Sequence, residues 1–344
     1  MNIQKSSLRH PLISIAALFI IIAGLKLAQS IVVPILLALF ISILSAPLLL
    51  WLKQKKISNS LSLLFILMVL SIIGLSLAYL VGTSANSFSE NIPFYETQLK
   101  LKLNSLYSEV HTKGINLESI KINEILNPSK VIRYISLGLS QIGSILTQSI
   151  LILLIVAFIL LEATSLYTKL QMITNNNAKK IQKIKELINK INHYMRIKII
   201  ISFITGTLIT LFLFIFNIHY PLLWGTLAFL LNFIPNIGSI IAVIPVFILA
   251  IIQHGFTEAI IVLGTYILIN FILGNIIEPK FMGKGLGLSA LVIFLSLIFW
   301  GWLFGTIGML LAIPLTMVAK IALSEYESTK VIAILIGSES PSNK

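Results

Sequence analysis

The chain has 344 residues, 57% of them hydrophobic and only 11% charged, with a net charge of +13 and no cysteine. A soluble globular domain averages about 45–50% apolar and about 25% charged residues, so charge this sparse excludes a water-soluble fold. The mean hydropathy is +0.99, and apolar runs of roughly 17 residues or more are long enough to cross a ~30 Å hydrocarbon layer. The expected fold class is an all-α polytopic membrane protein with about eight hydrophobic segments.

The basic residues sit in short stretches beside the apolar runs, which is the footprint of the positive-inside rule and not of nucleic-acid binding. Without cysteine there is no disulfide framework or thiolate metal site. The five histidines (His10, His111, His193, His219, His254) lack ligand spacing, so neither metal nor cofactor is expected.

In chain order, residues 1–85 hold three predicted spans, near 11–29, 31–51 and 59–82. Lys5 and Arg9 precede the first, and hydrophobicity resumes at once after it, so it reads as an uncleaved span and not a signal peptide. Residues 86–142 form a nearly charge-balanced insertion. Leu99, Leu103, Leu106 and Val110 recur there at helical spacing, which predicts a small helical domain outside the membrane.

Residues 143–197 hold a fourth span followed by a basic stretch with Lys169, Lys179, Lys180, Lys183, Lys185, Lys190 and Arg196. Its apolar residues Ile181, Ile184, Ile188, Ile191 and Met195 make it an amphipathic helix suited to an anionic lipid surface. Lys53, Lys55 and Lys56 lie two spans earlier, so both basic regions can be cytoplasmic together. That predicts cytoplasmic N and C termini and a periplasmic-side insertion. Residues 323–344 form the cytoplasmic tail.

Residues 198–322 depart from plain spans. A straight helix over 222–252 would measure ~46 Å and one over 288–322 ~52 Å, both too long for ordinary tilt. The first is interrupted by Asn232, Pro235, Asn236 and Gly238 and carries Pro245; the second by Gly305 and Gly308 and carries Pro314. The two interruptions resemble each other, with Ile-Gly, Ala and Ile-Pro recurring in order. Paired broken segments are the sequence pointer to a transporter binding site, where irregular backbone lines a polar cavity. These segments are read as broken, either re-entrant helical hairpins or kinked spans, and the hairpins are favoured because they put Lys280 and Lys284 in the cytoplasm.

Between them lies Asn270 to Lys280, with Asn275 and Glu278 three residues apart and Pro279 following. An ionisable residue in apolar sequence is costly and reads as functional. Its alternative is a carboxylate capping a helix end beside Lys280. The candidate substrate or ion site is thus Asn232, Pro235, Asn236, Gly238, Asn270, Asn275 and Glu278.

The run Asn232 to Pro245, the Ile-Ile-Glu278-Pro279 element with Gly283 and Gly287-Leu288-Ser289, and Phe299-Trp300-Gly301 through Ala312-Ile313-Pro314-Leu315 resemble the autoinducer-2 exporter family of permeases. The likeness is strongest over 220–320, while the segment layout fits almost the whole chain. Where the family often has proline after Leu-Ser, this chain has Ala290.

The resemblance implies a homo-oligomeric transporter of the bacterial inner membrane, exporting a small solute of the autoinducer-2 type or exchanging sodium for protons. The alternatives are a passive channel and a non-transport scaffold. No phosphate-binding Gly-rich loop with Lys-Ser/Thr is present to bind ATP, and no catalytic constellation suggests an enzyme. Expected partners are membrane lipids and the substrate.

Overall fold

A computed structural model describes residues 9–112, 149–173, 177–282, 287–324 and 329–337, with single positions at 133, 135 and 137. All regular elements among these residues are helical. That follows from the composition, because in hydrocarbon a helix satisfies its backbone groups within one segment. Six of the described helices are long and apolar enough to cross a membrane.

The helices run α1 (Arg9–Leu27), α2 (Gln29–Gln54), α3 (Asn59–Glu90), α4 (Ile92–Thr112), α5 (Ser149–Ile173) and α6 (Ala178–Ile215). They continue with α7 (Pro221–Leu231), α8 (Ile237–His254), α9 (Phe256–Phe271), a π-helical turn (Ile272–Ile277) and α10 (Glu278–Met282). The last are α11 (Ala290–Leu310), α12 (Ala312–Ser324) and α13 (Lys330–Leu335).

Three boundaries differ from the sequence reading. First, α1 and α2 are joined by the single residue Ala28, whose N–H donates to Gly24 O at 2.9 Å and whose carbonyl accepts from Val32 N at 3.0 Å. Each of these bonds belongs to one helix only, so the two predicted segments are separate helices, with the break at residue 28 where the sequence placed it at 29–31.

Second, the basic helix and the fifth span are one continuous helix, α6, which crosses the predicted 197/198 boundary. No proline occurs in it, and its first glycine is Gly206. Third, α3 runs on to Glu90, and the insertion continues as α4 to Thr112. Apart from positions 133, 135 and 137, the rest of the insertion lies outside the described residues, as do Gly283 and Lys284.

The chain forms two compact units, one of residues 1–66, 151–193 and 284–344, the other of residues 67–150 and 194–283. In the first, α11 and α12 form a hairpin. Gly305 sits at the break with φ 67° and ψ −151°, a backbone state open to glycine and strained for other residues. The hairpin ends meet where Lys320 Nζ donates to the Gly287 carbonyl.

Beside the break, Lys26 Nζ donates to the carbonyls of Trp302 and Leu303, at 2.5 and 3.5 Å, while also donating to Gln29 Oε1 at 3.0 Å and lying over the Trp302 ring. We expect Lys26→Met to cost about 1–2 kcal/mol, the scale of hydrogen bonds with a charged partner at a partly exposed site. A melt in detergent reads this directly. An unchanged Tm would remove Lys26 as the cap of this break.

In the second unit, α7 and α8 form the other hairpin. Its two ends meet where His219 N donates to Gln253 Oε1 at 3.1 Å. Close packing against α6 comes from small residues: a Cβ on Gly206 would sit 2.7 Å from Gly225 O. This is how membrane helices gain van der Waals contact without a hydrophobic driving force between them.

Around the same end, Tyr95 of α4 stacks on Phe88 at 5.4 Å and its hydroxyl lies 3.1 Å from His219 Nδ1. Trp224 Nε1 donates to His219 O at 2.9 Å. Burial pushes the Tyr95 phenol above its ordinary pKa, so it is neutral and free to hydrogen-bond at physiological pH.

Candidate functional site

The first break explains itself residue by residue. Leu231 ends α7, and Pro235 lacks the N–H that continuing the helix would need. The chain then turns at Asn236, with φ 61° and ψ −48°, and Ile237 N donates to Pro235 O at 2.7 Å across three residues. This is the strained form of γ-turn, rare in proteins and found where surrounding structure over-determines it.

Gly238 then packs on the first arm: a Cβ there would sit 2.6 Å from the Leu231 carbonyl carbon and closer still to its oxygen. The second hairpin repeats the device. A Cβ on Gly308 would sit 2.7 Å from the Trp300 carbonyl carbon. In each, a positive-φ residue is soon followed by an Ile-Gly whose glycine touches the preceding arm.

The next helix also departs from regularity. Between α9 and α10 the chain widens into the π-helical turn Ile272–Ile277, with Glu278 N bonded five residues back to Leu273 O. Pro279 has no N–H to give to the turn before it, which accounts for the irregularity at this point. Single π-turns of this kind mark functional segments in many helices.

The break, the π-turn and α6 line a half-open cavity of about 420 Å³, within the range of small-ligand sites, roughly 300–1,000 Å³. Of the sequence-predicted residues, Asn232, Pro235, Asn236, Asn270, Asn275 and Glu278 all line it, joined by Ser239, Tyr266 and Lys198. Gly238 is absent from the lining and acts behind it by letting the arms approach. Pro245, Pro279, Gly305, Gly308 and Pro314 are also absent from the lining. The lining spans twelve residues of helix between Tyr266 and Glu278, or ~18 Å along the axis.

Several lining groups are held by the protein itself. Asn232 Nδ2 donates to Ser202 Oγ at 3.0 Å, and Asn270 Nδ2 to Tyr266 O at 2.9 Å. Asn236 and Asn275 are exposed. The two charges of the lining pair with each other: Lys198 Nζ donates to both carboxylate oxygens of Glu278, at 2.8 and 2.9 Å. The lysine side chain is 3% exposed and the glutamate 12%.

The alternative reading of Glu278 as a cap beside Lys280 is not what the structure has: Lys280 is exposed, and the pairing reaches back 80 positions. Sequence reading missed Lys198 because it stands among the basic residues that mark the cytoplasmic side. One signal could have found it. Tyr194, Lys198, Ser202 and Thr205 recur at steps of four, four and three, and all four are buried. They form one polar stripe along an otherwise apolar helix face.

Among the described residues, no group of three His, Cys, Asp or Glu side chains could hold a metal ion. The cavity combines an apolar wall, with Ile240, Val243, Ile267 and Phe271, with neutral amides and hydroxyls and an internal ion pair.

Comparison with known proteins agrees on the class. The model of the AI-2E family transporters matches residues 15–328. A Haemophilus influenzae protein whose name assigns it to transport, without a substrate, is 39% identical over 337 residues, covering 96% of this chain and 97% of that protein. The AI-2 transport protein TqsA of Escherichia coli is 38% identical over 326 residues, covering 94% of each. With a family match over nearly its whole length and relatives this similar from end to end, the chain belongs to the AI-2E family of membrane transporters.

Proposed function

We propose that the chain is a secondary transporter of the bacterial inner membrane that moves a small uncharged polar solute through the cavity between α6, the α7–α8 hairpin and the π-turn. One observation carries this reading: six polar side chains and a self-neutralised ion pair line a single cavity at a helix break. The amides and hydroxyls offer hydrogen bonds, and the break supplies a hinge. TqsA's name makes an AI-2-type solute the first to test.

Sodium–proton exchange is the less supported reading, because Lys198 already takes both oxygens of Glu278. In the proposed orientation the basic end of α6, the Lys53–Lys56 linker, Lys280 and the C terminus face the cytoplasm. Family membership further supports a homo-oligomer embedded in anionic lipid.

Efflux of labelled solute from proteoliposomes tests the reading. Asn232→Ala and Asn275→Ala are each expected to raise the half-saturation concentration about 5–10-fold, the scale of one lost hydrogen bond. Flux unchanged in both would move the path elsewhere. Dependence on an imposed proton gradient separates a coupled transporter from a passive channel, which only equilibrates its solute.

A further inference from the structure

We propose that Lys198 is a built-in cation that sets the charge selectivity of the cavity, keeping inorganic cations out so that uncharged solutes are accepted. This rests on the reading of the cavity as the transport site. Apart from Lys198 and Glu278, the polar lining consists of Asn232, Asn236, Asn270, Asn275, Ser239 and Tyr266, all neutral groups. Remove the lysine and what remains is one carboxylate among amide and hydroxyl oxygens. Those are the hard oxygen donors that alkali and alkaline-earth cations prefer.

In the native protein this donor set is closed. The Lys198 ammonium holds both carboxylate oxygens at 2.8 and 2.9 Å and is more deeply buried than the glutamate. A cation could reach those oxygens only by displacing the ammonium that already holds both of them. Tyr194, Ser202 and Thr205 continue the buried stripe on either side of Lys198 along α6, so the lysine is fixed by its own helix. An anion fares no better, because the ammonium is already bonded to the carboxylate. Selectivity by an internal repulsive charge is a general device for rejecting wrong ligands.

The test uses the full chain purified in detergent as wild type, Lys198→Gln, Lys198→Arg and Lys198→Gln/Glu278→Gln. Thermal melts are recorded at one fixed, mildly alkaline pH for all four proteins. Sodium chloride is exchanged for choline chloride at constant ionic strength, so that screening cannot account for a shift.

Wild type, Lys198→Arg and the double variant are expected to show no sodium-specific shift. Lys198→Gln should gain ~2–4 °C in Tm at a sodium concentration about five times its Kd. A sodium-specific rise in the wild type, or none in Lys198→Gln, would overturn the proposal. If Lys198→Gln does not accumulate, the double variant decides: recovery supports an unpaired Glu278 as the defect, and no recovery overturns it. Solute flux is measured on the same preparations. A wild type that moves no solute removes the transport reading while leaving the cation result standing.

Discussion

Glu278→Ala is expected to lower stability by about 3–5 kcal/mol and to abolish flux, because it strands the Lys198 ammonium in a site where it is 3% exposed. The size of the loss comes from the uncompensated charge and not from the intrinsic worth of the pair. Replacing both residues with uncharged ones should therefore restore much of the fold. Lys198→Met/Glu278→Leu is expected to melt within about 1–2 kcal/mol of the wild type, since apolar replacements of a buried pair are often neutral. Flux should stay lost in the double variant if the pair shapes the cavity chemistry. Single variants that each melt like the wild type would mean the pair is solvated and carries no such weight.

Gly238→Ala is the second large effect. Its Cβ would meet the Leu231 carbonyl at 2.6 Å to the carbon, and both groups are backbone, so no side-chain rotation relieves the clash. The arms of the α7–α8 hairpin would have to separate. Overpacking of this kind costs about 3 kcal/mol or more, a Tm fall of roughly 6–12 °C. Gly308→Ala meets the Trp300 carbonyl in the same way and should behave alike. Gly264→Ala and Gly274→Ala find nothing within 4 Å and serve as controls that should fold normally. A Gly238→Ala protein with wild-type Tm and flux would refute the tight hairpin.

Much of this architecture was legible in the sequence, for physical reasons. Helical spans follow from hydrocarbon thickness, and segments longer than a span must break where Pro235 and Gly305 stand. Asn232, Asn236, Asn270, Asn275 and Glu278 stood out because polar groups in apolar sequence need partners or a function.

What the sequence hid is pairing across distance. Lys198 belongs both to a basic run and to a buried stripe, and composition records only the first. Lys280, two residues from Glu278, was the nearer partner in sequence and is exposed in the fold. Lys26 was hidden in the same way, since its partners are the carbonyls of Trp302 and Leu303 beside the break at Gly305.

The absence of cysteine allows the most direct test of the central claim, that solute crosses through the cavity around Asn275 and Glu278. Asn275→Cys, introduced alone, is reconstituted in proteoliposomes and labelled with a bulky maleimide, with solute flux measured before and after labelling. The account predicts that quantitative labelling reduces flux to the level of empty liposomes and that saturating solute slows the labelling. Unchanged flux through a fully labelled protein would contradict it.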